Sequence, residues 1–329
     1  MKSPFTGGSA TLRAQADELT YRKEKFPFVH LFYECDDTRE HFTVDELDDL
    51  NLAQVYNRYR VKYGIPFPDE IRNLRLRYGL SAAKMSLILG LGDNQYRLYE
   101  NGDMPSETNG KLLASIRNAS VFEVFVKNAY NQLGEREYKH IVEHIENSCD
   151  SSESEVIQGL VYSGYVRGER NGFAPQDLKR LKAMMLFFIH NNDSAVFNTK
   201  MNKLLFYSDF LSYRERAMSI SGLVYKAIQY GPVPVRWDRV YGLIDGIEQA
   251  VAVTNGVVVG QQLISLEKPD LHLFSEEELM ILQTVQQKFS DCNVATISSI
   301  SHEETAWQNR IGKDEPIINF DDAFFLKGI

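Results

Sequence analysis

Residues 80–102, LSAAKMSLILGLGDNQYRLYENG, constrain this chain more tightly than any other stretch. Ser81 is placed to cap a first helix whose buried face uses Met85, Ile88 and Leu89. Ser86 is small, as needed where two helices cross at close range, and Gly90 supplies the backbone freedom for a tight turn. Leu91, Tyr96 and Tyr99 then give a second apolar face at helical spacing, and Asn101-Gly102 reads as a helix stop. A plain helical hairpin with solvated polar residues is the simpler reading. The agreement of apolar positions, small residue and glycine turn favours a more specific one.

Over all 23 positions, without a gap, this spacing resembles the phage-repressor type of helix-turn-helix. The resemblance implies that the leading end of the second helix meets base edges in the major groove of double-stranded operator DNA. The side chains there are Asp93, Asn94, Gln95, Arg97 and Leu98. Asn94 and Gln95 suit paired hydrogen bonds to adenine, and Arg97 suits guanine or phosphate. Asp93 fits the helix N-terminus better than it fits DNA. Residues 58–78 hold six basic side chains against two acidic ones, and Arg75 and Arg77 are the expected phosphate contacts. The net charge of -9 leaves room only for such a local basic face and argues against a protein that coats nucleic acid indiscriminately.

The length of 329 residues suits two or three domains. Residues 28–33 alternate as a small antiparallel sheet would, and the pattern turns helical from Leu50. A polar, Ser-rich stretch at 147–155 marks a linker, and a helix-rich domain follows from about Gly172. Within that domain Tyr230-Gly-Pro-Val-Pro234 reads as a turn, and residues 251–259, split by Asn255-Gly256, read as a β-hairpin. The expected fold is α+β and mostly α: a β module at 1–50, a helix-turn-helix bundle at 51–146, a linker at 147–171 and a helix-rich domain at 172–329. The apolar run at 183–189 is far shorter than a bilayer span and reads as a buried helix segment. Three scattered cysteines and no secretion signal lead to the expectation of a soluble, cytoplasmic protein without disulfides.

The N-terminal part resembles the MqsA-type antitoxins, from Met1 to about Ala129. In that family a zinc module built on two CxxC pairs precedes the helix-turn-helix. The positions matching the four thiolates are Ser3, Thr6, Cys35 and Thr38. Hydroxyls are poor zinc ligands, so no metal is expected. Phe26, Phe28, Phe32, Tyr33 and Phe42 are the residues left to hold the module by packing. His30 and His41 are weighed as extra ligands, and satisfied surface histidines are the simpler assignment.

Residues from about 176 to 325 resemble the Panacea, or SocA-like, domain. The matching pieces are Lys203-Leu-Leu-Phe-Tyr-Ser-Asp209, Ile220-Ser-Gly222, Tyr230-Gly-Pro-Val233 and Ser301-His-Glu-Glu-Thr-Ala-Trp307. This resemblance implies a toxin-neutralising domain, with Lys203, Tyr207, Asp209, Tyr230 and Trp307 as partner-binding residues. On physical grounds each has a structural alternative in the core. His302-Glu303-Glu304 lacks the spacing of a zinc motif, and an acid–base pair of Asp209 with His302 is outweighed by a structural hydrogen bond. No catalytic residue, metal or cofactor is expected. The reading that results is an antitoxin of a type II toxin–antitoxin system, binding a cognate toxin and operator DNA as a homodimer. A transcriptional regulator whose C-terminal domain senses another protein or ligand is the alternative, and a hydrolase or proteolysis adaptor is a third.

Overall fold

The computed structural model describes residues 1–147, 152–254 and 257–329, so the middle of the Ser-rich linker stretch and the hairpin turn Asn255-Gly256 lie outside the described residues. The fold is α+β and helix-rich, as the sequence patterns lead one to expect. Two compact units form, one of Tyr56–Ser152 and one of Met1–Val55 together with Glu153–Ile329.

The N-terminal sheet is a long hairpin of β1 (Ala10–Tyr21) and β2 (Glu24–Cys35), edged by the short β3 (His41–Phe42). Arg22 and Lys23 form its two-residue turn, both left-handed, at φ 48° and 74°. Helix α1 (Asp45–Tyr63) opens on Asp45, Glu46 and Asp48, whose charges suit the positive end of the helix dipole. Asn51 and Gln54, three residues apart, share one face of it. Each side-chain amide makes a donor–acceptor pair with one backbone residue of β2, Asn51 with Leu31 and Gln54 with Val29, all at 2.9 Å. Two amide side chains thus satisfy the strand edge that β3 is too short to cover.

The helical unit holds α2 (Pro68–Arg77), α3 (Ala82–Ile88), α4 (Gln95–Glu100), α5 (Glu107–Ser115), α6 (Ala119–Asn128), α7 (Tyr130–Leu133) and α8 (Glu135–Asn147). Its core gathers Ile71, Leu74, Met85, Ile88, Leu89, Tyr96 and Tyr99, with Tyr78 stacked on Phe122 at 4.1 Å. The buried hydroxyls are satisfied: Tyr96 donates to the Ile71 carbonyl at 2.7 Å and Tyr78 to the Ile116 carbonyl at 2.6 Å.

After α9 (Ser152–Val161) and α10 (Leu178–Asn191) comes α11 (Asn198–Arg216), which is buried on every side from Met201 to Tyr213. Around it pack α10, β5 (Gly231–Pro234), α13 (Glu276–Phe289), α14 (Val294–His302) and the turn Phe320–Phe325. Strand β4 (Tyr225–Ile228) pairs with β5 across the two-residue turn Gln229-Tyr230. The Gly-Pro-Val-Pro run expected as a turn is therefore a strand. Proline is tolerated there because β5 is an edge strand whose outer side needs no ladder donor, whereas the other side of β4 is bridged by Pro316 and Ile318. Helix α12 (Trp237–Leu243) leads into the hairpin of β6 (Glu248–Thr254) and β7 (Val257–Ile264), and α15 (Thr305–Gln308) follows α14. No helix is long and apolar enough to cross a membrane among the described residues.

Candidate functional site

In the helical unit, Ser81 caps α3 by accepting from the Lys84 amide at 3.2 Å. Gly90 takes a left-handed turn at φ 65°. The Ser86 hydroxyl, buried where α3 meets α4, accepts from the Tyr96 amide at 3.1 Å, so a larger residue would both lose this tie and part the helices. Leu91 lies in the turn, half-buried against the core. Helix α4 is shorter than its sequence suggests. Asn94 is left-handed at φ 61° and the helix starts only at Gln95, because Asn tolerates that conformation and ends the turn.

Asn94 and Arg97 are exposed, Gln95 is half-buried, and Leu98 is 43% exposed beside them. Arg97 makes no ion pair, and neither does Arg72 or Lys111, among the described residues. Arg75 is placed differently from Arg97. Its Nε donates to Glu100 at 2.6 Å and its Nη1 to the Leu80 carbonyl at 3.1 Å, which ties α2 to α4 and occupies the guanidinium. Arg77 is exposed, lies over the Tyr78 ring and donates to the Arg117 carbonyl at 3.1 Å. Arg58 and Arg60 are buried, and Arg60 is held by the carbonyls of Pro66, Gly102 and Asp103. Half of the basic cluster read at 58–78 is thus spent on internal structure. The helical unit still balances 13 basic against 12 acidic residues, so the acid excess of the chain lies outside it.

In the N-terminal module Ser3, Thr38 and Thr6 surround the Cys35 sulfur, with the Thr6 hydroxyl at 3.7 Å. Hydrogen bonds from Ser3, then Thr38, then Thr6 pull the thiol down to about 6, against burial. The four positions therefore converge as the four ligands of a metal knuckle would. One thiol and three hydroxyls do not fit zinc. His30 lies 3.8 Å from Asp17 and His41 3.5 Å from Glu34, and the rings of Phe28, His30, Phe32 and His41 follow one another in a row, each tilted on the next.

In the C-terminal part the conspicuous polar residues of α11 lie inside. Lys203 donates to the carbonyls of Tyr230 at 2.5 Å and Pro232 at 3.1 Å, and burial lowers its ammonium to about 7. Gly231, at φ 97°, allows this clamp, since a Cβ there would sit 2.9 Å from the Lys203 nitrogen and 2.6 Å from the Ser301 hydroxyl. Asp209 accepts from the Ile220 and Ser221 amides at 2.8 Å, from the Tyr225 hydroxyl at 2.6 Å and from the Ser221 hydroxyl. It is not paired with His302, which stacks on Trp307 at 4.4 Å. Tyr207 is fully buried. Lys203, Tyr207 and Asp209 therefore cannot meet a partner at the surface. Lys203 and Asp209 hold together the pieces of chain that the motif names, while Tyr207 packs its ring against Phe206 and Phe289. Trp307 is half-buried, its indole donating to the Ile228 carbonyl at 2.8 Å, and Tyr230 is exposed.

Sequence reasoning passed over the exposed aliphatic side chains of the second hairpin. Val251, Val253 and Val258 stand at least 57% exposed on β6 and β7. Among the described residues no further strand pairs with the outer edge of β6. Five valines within 251–259, around Asn-Gly, were the available signal.

Residues 201–308 match the family model described as antitoxin SocA-like, Panacea domain. The match covers about a third of the chain and takes in α11 from Met201 onward, the Lys203–Gly231 clamp, both C-terminal hairpins and Trp307. No curated protein and no solved structure matches the chain.

Proposed function

We propose that this protein is a cytoplasmic antitoxin of a type II toxin–antitoxin system that neutralises a protein toxin by stoichiometric contact, without turnover. The match of residues 201–308 to an antitoxin-like domain is the observation that carries the reading. Tyr230 and the exposed valines of β6 and β7 are the surface assigned to the toxin, since the motif residues of α11 are interior. Val251 and Val253 share one face of β6 and Val253 pairs across to Val258, so the three valines adjoin, and an exposed apolar patch of this kind calls for a partner.

The second part of the proposal is autoregulation. Asn94, just before α4, and Arg97, both exposed, are assigned with the half-buried Gln95 to base edges, and Arg72, Arg77 and Lys111 to phosphates. Operator half-sites imply a homodimer. The N-terminal module is read as MqsA-like, with the metal replaced by hydroxyl-to-thiol hydrogen bonds around Cys35.

Co-expression with the product of the adjacent gene tests the neutralising half: growth recovers and the two proteins co-purify. Persistent growth arrest with no complex would refute it. For DNA, the double variant Asn94→Ala, Gln95→Ala loses about 1–3 kcal/mol for each specific base contact on its own promoter, with non-specific binding retained. Equal loss on every sequence would place the reading surface elsewhere.

A further inference from the structure

We infer that the toxin docks a basic, apolar segment into an acid-rimmed cleft of about 850 Å³ at the base of the second hairpin, between the end of α12 and the strands β6 and β7. The inference rests on the neutralising role proposed above and names the chemistry that the C-terminal part recognises. The local sequence builds the cleft. Helix α12 stops at Leu243, the chain runs extended through Ile244, and Gly246 turns it into β6 at φ 75°. A Cβ at Gly246 would collide with the Glu267 carboxylate, so both conformation and space call for glycine. The Ser265 hydroxyl donates to the Gly246 carbonyl at 2.6 Å, and Lys182 of α10 pairs with Glu267 at 2.7 Å. Both walls are thus held by the chain's own contacts.

The walls are aliphatic and exposed. Leu243 and Ile264 are each 37% exposed, and Leu266 stands wholly free of the fold at 101%. Single exposed leucines are ordinary, but three aliphatic side chains around one cleft mark a docking surface. With Leu266 projecting into water, the cleft encloses too little to retain a small molecule. The rim selects the occupant. Asp245, Glu248 and Glu267 line the cleft, and no basic side chain does. Lys182 neutralises Glu267, whereas Asp245 and Glu248 are exposed and form no ion pair among the described residues. Two unpaired carboxylates repel nucleic acid and an anionic membrane surface. A second copy of this chain would set the same acidic rim against itself across a two-fold axis. A protein segment with aliphatic side chains flanked by lysine or arginine satisfies both walls and rim. The acid excess outside the helical unit steers such a partner from longer range. The cleft also continues the surface already assigned, since Glu248 pairs with Ile264 across the base of the hairpin that bears Val251, Val253 and Val258.

Biolayer interferometry of the full chain against the immobilised proposed toxin, the product of the adjacent gene, tests the site. Asp245→Lys with Glu248→Lys slows association about tenfold or more, and Leu266→Asp speeds dissociation about tenfold. Asp291→Lys with Asp314→Lys changes the net charge equally at exposed positions outside the cleft and leaves both rates nearly unchanged. All three variants keep the parental melting temperature, because every replaced side chain is exposed. Full binding by either cleft variant, or equal slowing by the distant pair, overturns the inference while leaving neutralisation intact. A parent chain that does not bind refutes the neutralising reading itself, and the inference with it. In light scattering of the chain alone, a dimer that Leu266→Asp splits would give the cleft to a second copy and equally overturn the inference.

Discussion

Replacing Asp209 separates an interior role for the Panacea motif from a surface one. Its carboxylate is fully buried and accepts two backbone amides and two hydroxyls. In Asp209→Ala the Ser221 and Tyr225 hydroxyls can rotate toward other acceptors, whereas the Ile220 and Ser221 amides cannot. At about 1–3 kcal/mol for each stranded buried donor, the two amides alone cost about 2–6 kcal/mol. That is a large share of the 5–15 kcal/mol, roughly, that holds an ordinary domain together. Urea unfolding followed by circular dichroism reads the loss as a lower midpoint, and toxin capture falls only in step with the folded fraction. A variant destabilised by less than about 1 kcal/mol that nonetheless loses its partner would refute the interior assignment.

Glu278 gives a pH-dependent prediction. Burial raises its carboxyl, but the charges of Arg180 at 2.7 Å and Arg216 at 3.1 Å outweigh it, so the net shift is downward. A lowered carboxyl stabilises the fold above its unfolded pKa of about 4.3, and that gain disappears as pH falls through the folded value. Glu278→Gln is thus less stable than the parent at neutral pH and equal to it in strong acid; a gap that persists in acid would count against the ion pairs as its source. The knuckle around Cys35 makes a compositional prediction: Ser3→Cys, Thr6→Cys and Thr38→Cys together create a site that takes up one zinc per chain, read by elemental analysis after dialysis. Failure to retain zinc in a folded triple variant would show that the four positions do not converge as a metal site requires.

The helix-turn-helix spacing was legible because Met85, Ile88, Leu89, Tyr96 and Tyr99 face one way only if both helices form, and all five are buried. The β-hairpin around Asn255-Gly256 was legible from its valines, though paired strands extend well beyond 251–259. The late start of α4 was not, because either conformation of Asn94 fits the same letters. Nor could the sequence reveal that Arg60 and Arg75 are spent on internal contacts, since their acceptors lie up to 43 residues away. The interior placement of Lys203, Tyr207 and Asp209 escaped for a related reason. A helix packed on every side has no polar stripe, so its polar residues look like site residues until their burial is seen. Asn51 and Gln54 covering a strand edge is likewise a tertiary fact with no local signature.

The most direct measurement takes the proposed toxin, the product of the adjacent gene, and titrates it in its own activity assay with increasing amounts of this protein. Contact neutralisation predicts a linear fall in toxin activity to zero at a fixed molar ratio. Complete inactivation by a small fraction of that amount would mean turnover and would contradict the account.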